Sequence, residues 1–320
     1  MLGMGRFVSM AAATTLVGCG FPRPSDLPVP PGSDAAIDAA IDAPTVDGAT
    51  TPPPRCSPAG KFTTVMPLMS INASGSVGGA HPSPDELTLW FSGTLPGGAG
   101  GEDMYQASRT STSLPYGNIA PIPGVNSGGN EGHPYMTPDG MSVFGDSTPQ
   151  AGAAHVALAT RTSTAVDFGP LQPLTGLNGS ANDGDSYVLP NGNVIYFTSN
   201  RTGQYRLYRS FRAGGAFSDA ALVRGVDLDA ADDKGSPVVT PDELTLLFYS
   251  NRVNSSRFDA YEARRSSTAD DFSTPRPLDE LNSSGVTTAP SWISADGCVL
   301  YFTRAVTNMP GQIYVAMREK

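Results

Sequence analysis

Short apolar runs that begin just after a Pro-Asp-like pair recur along the chain and predict strands. The copies are PDELTLWFS from Pro84, PDGMSVFGD from Pro138, PNGNVIYFTS from Pro190, PDELTLLFYS from Pro241 and ADGCVLYFT from Ala295. They begin 54, 52, 51 and 54 residues apart. Proline fixes φ and the acidic side chain bonds the backbone ahead, so each pair predicts a tight turn. The apolar run behind the turn predicts a strand that is buried on both faces.

A second pattern begins with an aromatic residue and, in most copies, ends in Pro and an apolar residue. The copies are FTTVMPL from Phe62, YGNIAPI from Tyr116, FGPLQPL from Phe168, FSDAALV from Phe217 and FSTPRPL from Phe272. Proline is tolerated at the edge of a sheet, so these segments predict outermost strands. Between the two patterns lies a third strand that carries a tyrosine, as in EDMYQAS from Glu102; the second unit has the weaker AHVALAT from Ala154.

The two patterns are out of phase along the chain. An outermost strand comes first, at Phe62–Leu68, and the last unit, from about Thr287 to Lys320, lacks one. The first strand therefore completes the last unit, which is how a ring of blades closes. The sequence predicts an all-β, five-bladed β-propeller whose N-terminal strand closes the last blade.

Composition and charge narrow the function classes. The chain has 36 Gly and 29 Pro, and 16% of its residues are charged, which excludes a coiled coil or helical bundle. The net charge of −10 disfavours binding to nucleic acid or to an anionic membrane surface. An acidic surface leaves room for a cationic ligand or a divalent metal.

The N-terminal region predicts export. Residues 1–18 have one basic residue and a short apolar run, as signal peptides do. Leu16-Val17-Gly18-Cys19 resembles the bacterial lipobox, which implies lipidation of Cys19; Gly20 in place of Asp implies an outer-membrane address. The alternative is a plain signal peptide with an incidental cysteine. Residues 19–60, rich in Pro, Ala and Asp, predict a disordered tether, and residues 61–320 the propeller.

The Pro-Asp units, with their SNR and D-x-Y segments, resemble the WD40-like Pro-Asp (PD40) repeat of TolB-type propellers. The resemblance covers Phe62–Lys320. It implies a β-propeller fold, whereas the lipobox-like sequence implies the cell-envelope location, in the periplasm or at the outer membrane. Blade two departs from the pattern, because Gly145-Asp146 replaces the usual aromatic-Ser pair.

The long loops of a propeller with this strand order share one face, where we expect a ligand. The candidate ligand-binding residues are Glu131, Asp183, Asp185, Arg201, Arg252 and Arg304. The three arginines, which end second strands, indicate either ion pairs within blades, such as Arg252 with Asp259, or an arc that recognises carboxylates. Polar residues after the outer strands predict local Asx turns; these are Asn72, Asn126, Asn178, Asp227 and Asn282.

Two histidines raise the question of a metal. His81 and His133 are assigned to matching positions on inner strands, where blade three has Asp185. Two imidazoles and a carboxylate suit a divalent metal, so these three residues are the candidate ligands. The alternative is that they serve strand capping and packing. No other cofactor is predicted.

Catalytic signatures are missing from the sequence: it has no Gly-x-Ser-x-Gly, no His-Glu-x-x-His and no Gly-Lys-Ser/Thr. The leading hypothesis is a non-enzymatic scaffold or binding module, anchored to the membrane by its N-terminal lipid, for an envelope protein, peptide or glycan. The alternative is a carbohydrate-active hydrolase or lyase that uses His81, His133 and Asp185. Cys56 and Cys298 predict either a disulfide in an oxidising compartment or two free thiols.

Overall fold

Strands form nearly all the regular structure of the computed structural model, which describes residues 55–150, 152–226, 231–253 and 257–320. A first strand and a one-turn helix precede the first complete blade: β1 (Phe62–Pro67) and α1 (Met69–Asn72). Blade I consists of β2 (Ser76–Pro82), β3 (Thr88–Thr94), β4 (Asp103–Ser108) and β5 (Gly117–Pro121). Blade II consists of β6 (Asn130–Met136), β7 (Ser142–Thr148), β8 (His155–Thr160) and β9 (Gln172–Pro173).

The remaining blades repeat this order from the inner to the outer strand. Blade III consists of β10 (Asp183–Val188), β11 (Val194–Thr202), β12 (Gln204–Ala213), β13 (Ala216–Phe217) and β14 (Ala221–Leu222). Blade IV consists of β15 (Lys234–Val239), β16 (Thr245–Ser250), β17 (Asp259–Arg264) and β18 (Arg276–Pro277). Blade V consists of β19 (Val286–Ile293), β20 (Val299–Val306) and β21 (Gln312–Arg318), with β1 as its outer strand.

The ring closes through β1. This strand pairs antiparallel with β21, from Phe62 opposite Arg318 to Pro67 opposite Tyr314. The inner strands of successive blades contact one another around the axis, and β19 of blade V contacts β2 of blade I. The predicted five-bladed propeller with N-terminal closure is confirmed.

The Pro-Asp pairs build the turns between first and second strands. Asp85 accepts hydrogen bonds from the Ser83 hydroxyl at 2.6 Å and from the Leu87 N–H at 3.0 Å. Three other turns have the same two bonds, to Asp139, Asp242 and Asp296. The acidic side chain therefore fixes each turn at both ends. We call the end of the propeller that carries these turns the turn face, and the opposite end the loop face.

Aromatic pairs form the centre of the blades. The tyrosine of the third strand stacks on a phenylalanine of the second strand, with ring centroids 5.6–5.9 Å apart. The pairs are Phe91 with Tyr105, Phe197 with Tyr208, Phe248 with Tyr261 and Phe302 with Tyr314. Blade II has no such pair because Gly145 and Ala157 occupy the two equivalent positions.

A second aromatic contact involves an arginine near the end of each third strand. Its guanidinium lies 4.1–4.9 Å from the ring that opens the outer-strand pattern. The pairs are Arg109 with Tyr116, Arg161 with Phe168, Arg212 with Phe217, Arg265 with Phe272 and Arg318 with Phe62. In blade I, Arg109 also donates to the Glu86 carbonyl of the Pro-Asp turn at 2.7 Å. These arginines therefore stabilise the turn face of each blade.

Asparagines after the outer strands bond across to the third strand. The Asn126 amide accepts from the Met104 N–H at 2.8 Å and donates to the Met104 carbonyl at 3.0 Å. Asn72, Asn178 and Asn282 make the same two bonds. The predicted local Asx turns are wrong for these residues, because their amides pair with a strand of the same blade. Asp227 lies outside the described residues.

Polar side chains at the start of the inner strands join each blade to the one before it. Each accepts a hydrogen bond from a backbone N–H of the preceding blade, with the nitrogen and oxygen 2.9–3.3 Å apart. The donor N–H lies at or just before the third strand of that blade. The acceptors are Ser76, Asn130, Asn182, Asp233 and Thr287. The last and first blades are joined in the same way as the others, because the Ser76 hydroxyl accepts from Gly311.

A disulfide joins Cys56 to Cys298. It links the segment before β1 to blade V, the blade that β1 completes. Cys56 is buried, and the N–H of Ser57 donates to the Glu319 carbonyl at 2.9 Å. The segment 55–60 therefore lies against blade V, although the sequence assigned it to the tether. The predicted signal peptide, Cys19 and the rest of the tether lie outside the described residues.

Candidate functional site

The loop face opens into a cavity of about 500 Å³ that is lined mainly by blades II, III and IV. We call it the mouth cavity. Its walls combine carboxylates with aromatic rings, from Glu102, Asp146, Asp185, Asp233, Tyr205, Tyr249 and Phe258. Within this lining, His133 is the only residue that can carry a positive charge. The cavity therefore has an acidic and aromatic character.

Bends in the inner strands position the polar groups of the mouth cavity. In blades I to IV the pairing of the inner strand with the second strand is interrupted next to a residue whose φ lies between +49° and +59°. These residues are Gly79, His133, Asp185 and Ser236. For a residue other than glycine this conformation costs about 1–2 kcal/mol. The neighbouring blades stabilise it: the Asp146 carboxylate accepts from the Asp185 N–H at 2.6 Å, and the Asp185 carboxylate from the Ser236 N–H at 3.0 Å.

His133 lies between two carboxylates. Its Nδ1 is 2.9 Å from Oδ2 of Asp146, and its Nε2 is 3.7 Å from Oδ1 of Asp185. Asp146 is held further by the Ser186 hydroxyl, which donates to Oδ1 at 2.9 Å. The imidazole thus connects blades II and III across the cavity wall.

The surrounding charges keep His133 protonated. Burial lowers its pKa, but the hydrogen bond to Asp146 and the charges of Asp146, Asp185 and Glu102 raise the pKa to about 10. At neutral pH both ring nitrogens therefore carry protons, and the ring acts as a donor and a cation. In this state His133 cannot serve as a general base.

Asp185 receives hydrogen bonds from blade IV as well. The Tyr249 hydroxyl donates to its Oδ2 at 3.1 Å, and the Thr198 hydroxyl donates to the same oxygen at 3.2 Å. Burial raises the pKa of Tyr249 well above its usual value, and the charge of Asp185 raises it further, so the phenol stays protonated. Gly235 permits this contact, since a Cβ there would lie 2.5 Å from the Tyr249 hydroxyl and 2.6 Å from Oδ2 of Asp185.

A metal could use His133, Asp146 and Asp185, whose ligand atoms all lie within 4.8 Å of one another. A cation that binds a nitrogen of His133 must first displace a proton. With a pKa of about 10 for His133, this competition weakens binding at pH 7 by a factor of about a thousand. Metal binding therefore stays a prediction that the charge state of the site disfavours.

The structure separates the two histidines that the sequence placed together. His133 matches Gly79, Asp185 and Ser236, whereas His81 pairs with Trp90 and so matches Tyr135, which pairs with Phe144. The assignment of matching positions is wrong, because His81 lies beyond the bend of its strand. Its ring lies among aromatic rings toward the turn face and does not line the mouth cavity.

Asp185 lines the mouth cavity, but Glu131 and Asp183 are buried beside it and do not line it. Glu131 accepts from the N–H of Ser127 at 2.9 Å and from its hydroxyl at 2.5 Å. Asp183 accepts from the N–H of Gly179 at 3.0 Å. Both carboxylates hold the loop that enters their own inner strand.

The three predicted arginines lie within their blades and do not line the mouth cavity. The Arg201 guanidinium is 4.8 Å from the Tyr208 ring and donates to Asp183 at 2.7 Å. The Arg252 guanidinium is 4.6 Å from the ring of Tyr261. Stacked in this way, the guanidinium planes are not arranged as an arc at the channel mouth.

The ion pair suggested for Arg252 has a different partner from the predicted Asp259. Nε of Arg252 is 3.3 Å from Oδ2 of Asp232, and Asp259 pairs with Arg257 at 3.0 Å. Asp232 also accepts from the buried Lys234 ammonium at 2.5 Å. Burial raises the pKa of Asp232, but the bonds to Lys234 and Ser250 and the charges of Lys234 and Arg252 lower it overall.

The Arg304 guanidinium makes contacts like those of Arg252, although the two residues are not at equivalent strand positions. In strand register it matches Ser250, which is two residues before Arg252. Its guanidinium is nevertheless 4.8 Å from the Tyr314 ring and donates to the Leu281 carbonyl at 3.0 Å, as Arg252 does to Val226 at 3.4 Å. The long side chain compensates for the two-residue offset.

Several residues of the mouth cavity were not selected from the sequence. Asp146 had a visible signal, since it departs from the aromatic-Ser pattern. Its equivalents on the second strands of the other blades are Ser92, Thr198, Tyr249 and Thr303. Glu102, Asp233 and Phe258 had no such signal, because they lie in or beside loops whose spacing varies between blades.

In the described part of the chain, no helix is long and apolar enough to cross a membrane. The one helix there, α1, has four residues.

Comparison with known proteins extends the fold assignment. The sequence matches neither a protein-family model nor a curated protein. Among solved structures, a thermostable family-43 glycoside hydrolase aligns with a TM-score of 0.51 and 13% identity, over 76% of this chain and 88% of that chain. An α-L-arabinofuranosidase from Podospora anserina, solved with cellotriose, aligns with a TM-score of 0.51 and 11% identity, over 82% and 98%.

A TolB protein is also similar to this chain. TolB from Acinetobacter baumannii aligns with a TM-score of 0.49 and 15% identity over 77% of this chain, which spans about half, 56%, of that protein. At these identities the likeness concerns the fold alone. The likeness to the two glycoside hydrolases therefore does not assign a function to this chain. The Pro-Asp repeat family stays a resemblance.

Proposed function

We propose that this protein is a lipid-anchored binding module of the cell envelope whose mouth cavity takes a cationic side chain of a peptide or protein partner. The observation that carries the proposal is the lining of that cavity: four carboxylates and three aromatic rings, with His133 as the single cationic residue. A lysine or arginine of a partner gains both charge pairing and cation–π contact in such a cavity.

Two of the carboxylates have capacity left for a ligand. Glu102 accepts from the Ser92 hydroxyl at 2.6 Å through Oε1, and Asp233 accepts from the Tyr205 N–H at 3.0 Å through Oδ1. Within the described residues, no group donates to the second oxygen of either carboxylate. Each of these oxygens can therefore accept a hydrogen bond from an incoming ammonium or guanidinium.

The other two carboxylates are committed to the fold. Asp146 accepts from Ser186, from the Asp185 N–H and from His133. Asp185 accepts from Tyr249, Thr198 and the Ser236 N–H. Such a fixed network supports recognition better than proton transfer, because a general acid or base needs a proton that it can exchange.

The proposed location rests on separate features. The lipobox-like sequence before Cys19 supports export and lipid anchoring, and a disulfide between Cys56 and Cys298 suits an oxidising compartment. Replacement of Cys19 by Ala tests the anchor. The expected result is that the variant moves from the membrane fraction to the soluble fraction; unchanged fractionation would contradict the anchor and leave the binding proposal untouched.

A peptide array tests the binding module. Peptides with exposed Lys or Arg are expected to bind, and peptides in which Glu replaces these residues are not. The variants Glu102→Gln and Asp233→Asn are expected to weaken binding about tenfold each, whereas Asp167→Asn, at an exposed site outside the cavity, is the matched control. Equal binding of basic and acidic peptides would refute the proposal.

A carbohydrate-active hydrolase is the second candidate. The observation in its favour is that carboxylate oxygens of Asp146 and Asp185 lie within 4.8 Å of each other in an open cavity. Retaining glycosidases hold two carboxyl groups about 5–5.5 Å apart. Release of sugar from chromogenic arabinofuranosides or xylosides that is lost in Asp185→Asn would favour this candidate over the binding module.

A further inference from the structure

A second cavity, of about 400 Å³, opens on the turn face. We call it the turn-face cavity. The chain has two tryptophans, and both line it, as Trp90 and Trp292. It shares no lining residue with the mouth cavity, and between the two the axial channel narrows to a space of about 10 Å³. The turn-face cavity is therefore a separate site.

Aromatic rings surround His81 at this cavity. The centroid of the His81 ring lies 4.8 Å from that of Tyr135, 6.1 Å from Trp292, 6.2 Å from Tyr187 and 6.4 Å from Trp90. The four rings come from blades I, II, III and V, so the cavity exists because the propeller closes. Prolines of the Pro-Asp turns complete the apolar wall.

The protonation state of His81 follows from its neighbours. Its Nδ1 lies 3.1 Å from the Pro82 carbonyl oxygen, and because a carbonyl can only accept, Nδ1 carries the proton. Burial lowers the pKa of His81 to about 3, so the ring is neutral at physiological pH. Nε2 is then an acceptor. No group within the described residues donates to it.

The Nε2 atom is accessible only from inside the channel. His81 lines the turn-face cavity and the adjoining constriction, and does not line the mouth cavity. Two neighbouring hydroxyls are already bonded: the Tyr135 hydroxyl donates to the Leu189 carbonyl at 3.4 Å, and the Tyr187 hydroxyl makes a hydrogen bond with the backbone of Ile293. The cavity therefore combines apolar aromatic walls with one open, neutral acceptor.

The rim charges do not compete for that acceptor. Arg55 forms a two-point ion pair with Asp296, at 2.6 and 3.1 Å, and Glu86 pairs with Arg109 at 3.4 Å. A charged ligand would have to break one of these pairs or lose its hydration against apolar walls. A neutral ligand has neither cost.

We propose that the turn-face cavity binds a small, neutral, planar aromatic molecule that carries one hydrogen-bond donor, with the donor directed at Nε2 of His81. The volume of about 400 Å³ lies within the range of small-molecule sites, roughly 300–1,000 Å³. Ring stacking supplies the affinity, and the single acceptor selects among ring compounds.

Phenol and anisole form a matched pair of probes, since anisole keeps the ring and lacks the donor. Excitation at 295 nm reports on Trp90 and Trp292 and not on the phenol or anisole probe. Phenol is expected to change the emission saturably, with an affinity about tenfold above that of anisole. Equal affinity of the two, or no saturable change with either, would overturn the proposal.

Two further measurements assign the preference to the acceptor. His81→Phe is expected to reduce phenol binding to the level of anisole, while Glu102→Gln in the mouth cavity leaves both unchanged. In the unmodified protein, ¹⁵N NMR of the His81 ring should show Nε2 shift on addition of phenol, a readout that does not depend on the folding of a variant. A phenol preference that survives in His81→Phe, or an unshifted Nε2, would refute the role of His81.

Discussion

Loss of the Cys56–Cys298 disulfide is expected to destabilise the propeller strongly without changing its fold. The crosslinked residues are 242 positions apart, so the bond closes nearly the whole ring into one covalent loop. Reduction, or the double substitution Cys56→Ser/Cys298→Ser, removes that loop. The antiparallel ladder between β1 and β21 remains and still closes blade V.

The size of the effect follows from the loop. For a loop of 242 residues, chain-entropy arguments give about 18 cal/mol/K of unfolded-state entropy, or about 5.5 kcal/mol at 25 °C. Measured disulfides more often contribute about 2–4 kcal/mol. We therefore expect the free energy of unfolding to fall by about 2–5 kcal/mol.

Urea unfolding followed by tryptophan fluorescence measures this change close to the point of closure. Trp292 lies in blade V itself and Trp90 in the adjacent blade I. The circular dichroism spectrum of the native state should be unchanged, and the slope of the unfolding free energy against urea should increase because the uncrosslinked chain exposes more surface. A loss below about 1 kcal/mol would show that the bond does not constrain the unfolded chain as argued.

Three further predictions concern charge and backbone. Asp232→Ala removes the carboxylate 2.5 Å from the buried ammonium of Lys234; urea unfolding should show a loss of about 3–5 kcal/mol, and a loss under about 1 kcal/mol would contradict the pairing. His133 has its pKa raised to about 10 from 6.5; its stabilisation is complete below about pH 6.5 and lost as the pH rises through 10. The free energies of unfolding of the native protein and of His133→Asn, measured from pH 6 to 10, should therefore become more similar as the pH rises. A difference that stays constant over this range would refute the prediction. Gly124→Ala places a Cβ 1.9 Å from a carbonyl oxygen of the neighbouring blade at a φ of +87°; its melting temperature should fall by several degrees, and that of Gly117→Ala, in open space, should fall much less.

The blade count and the closure could be predicted because they depend on local chemistry repeated at a constant spacing. Each Pro-Asp turn forms from adjacent residues, and the outer strand at Phe62 precedes the first such turn in the sequence. A pattern of this kind does not require knowledge of side-chain contacts between distant parts of the chain.

The mistake over His81 has a local cause. Both histidines are followed by proline, yet His81 lies three residues before Pro84 and His133 five residues before Pro138. Because the bend in each inner strand separates these two positions, His133 lines the mouth cavity and His81 lines the turn-face cavity, and both border the constriction between them. Counting back from the turns would have revealed the difference.

The charge network could not be predicted from spacing. Asp232 lies 20 residues before Arg252 in sequence, and the competing Asp259 lies seven residues after it. Which carboxylate a long side chain reaches depends on how the loops fold over it. Arg304, whose guanidinium stacks on a tyrosine from a shifted position, shows the same dependence.

The pairing of β1 with β21 also has a consequence for biosynthesis. Phe62 and Arg318 lie 256 positions apart, so nearly the entire chain must be made before the two strands can meet. Until then, β1 has no partner, the growing last blade presents an open strand edge that can pair with another chain, and blade I lacks the neighbour that packs against its inner strand. A ribosome that stops early thus releases a product with unpaired strands, which favours aggregation and degradation over accumulation of a partial ring. Contacts of such long range also make folding slow, so the interval of exposure is governed by the last strand to emerge.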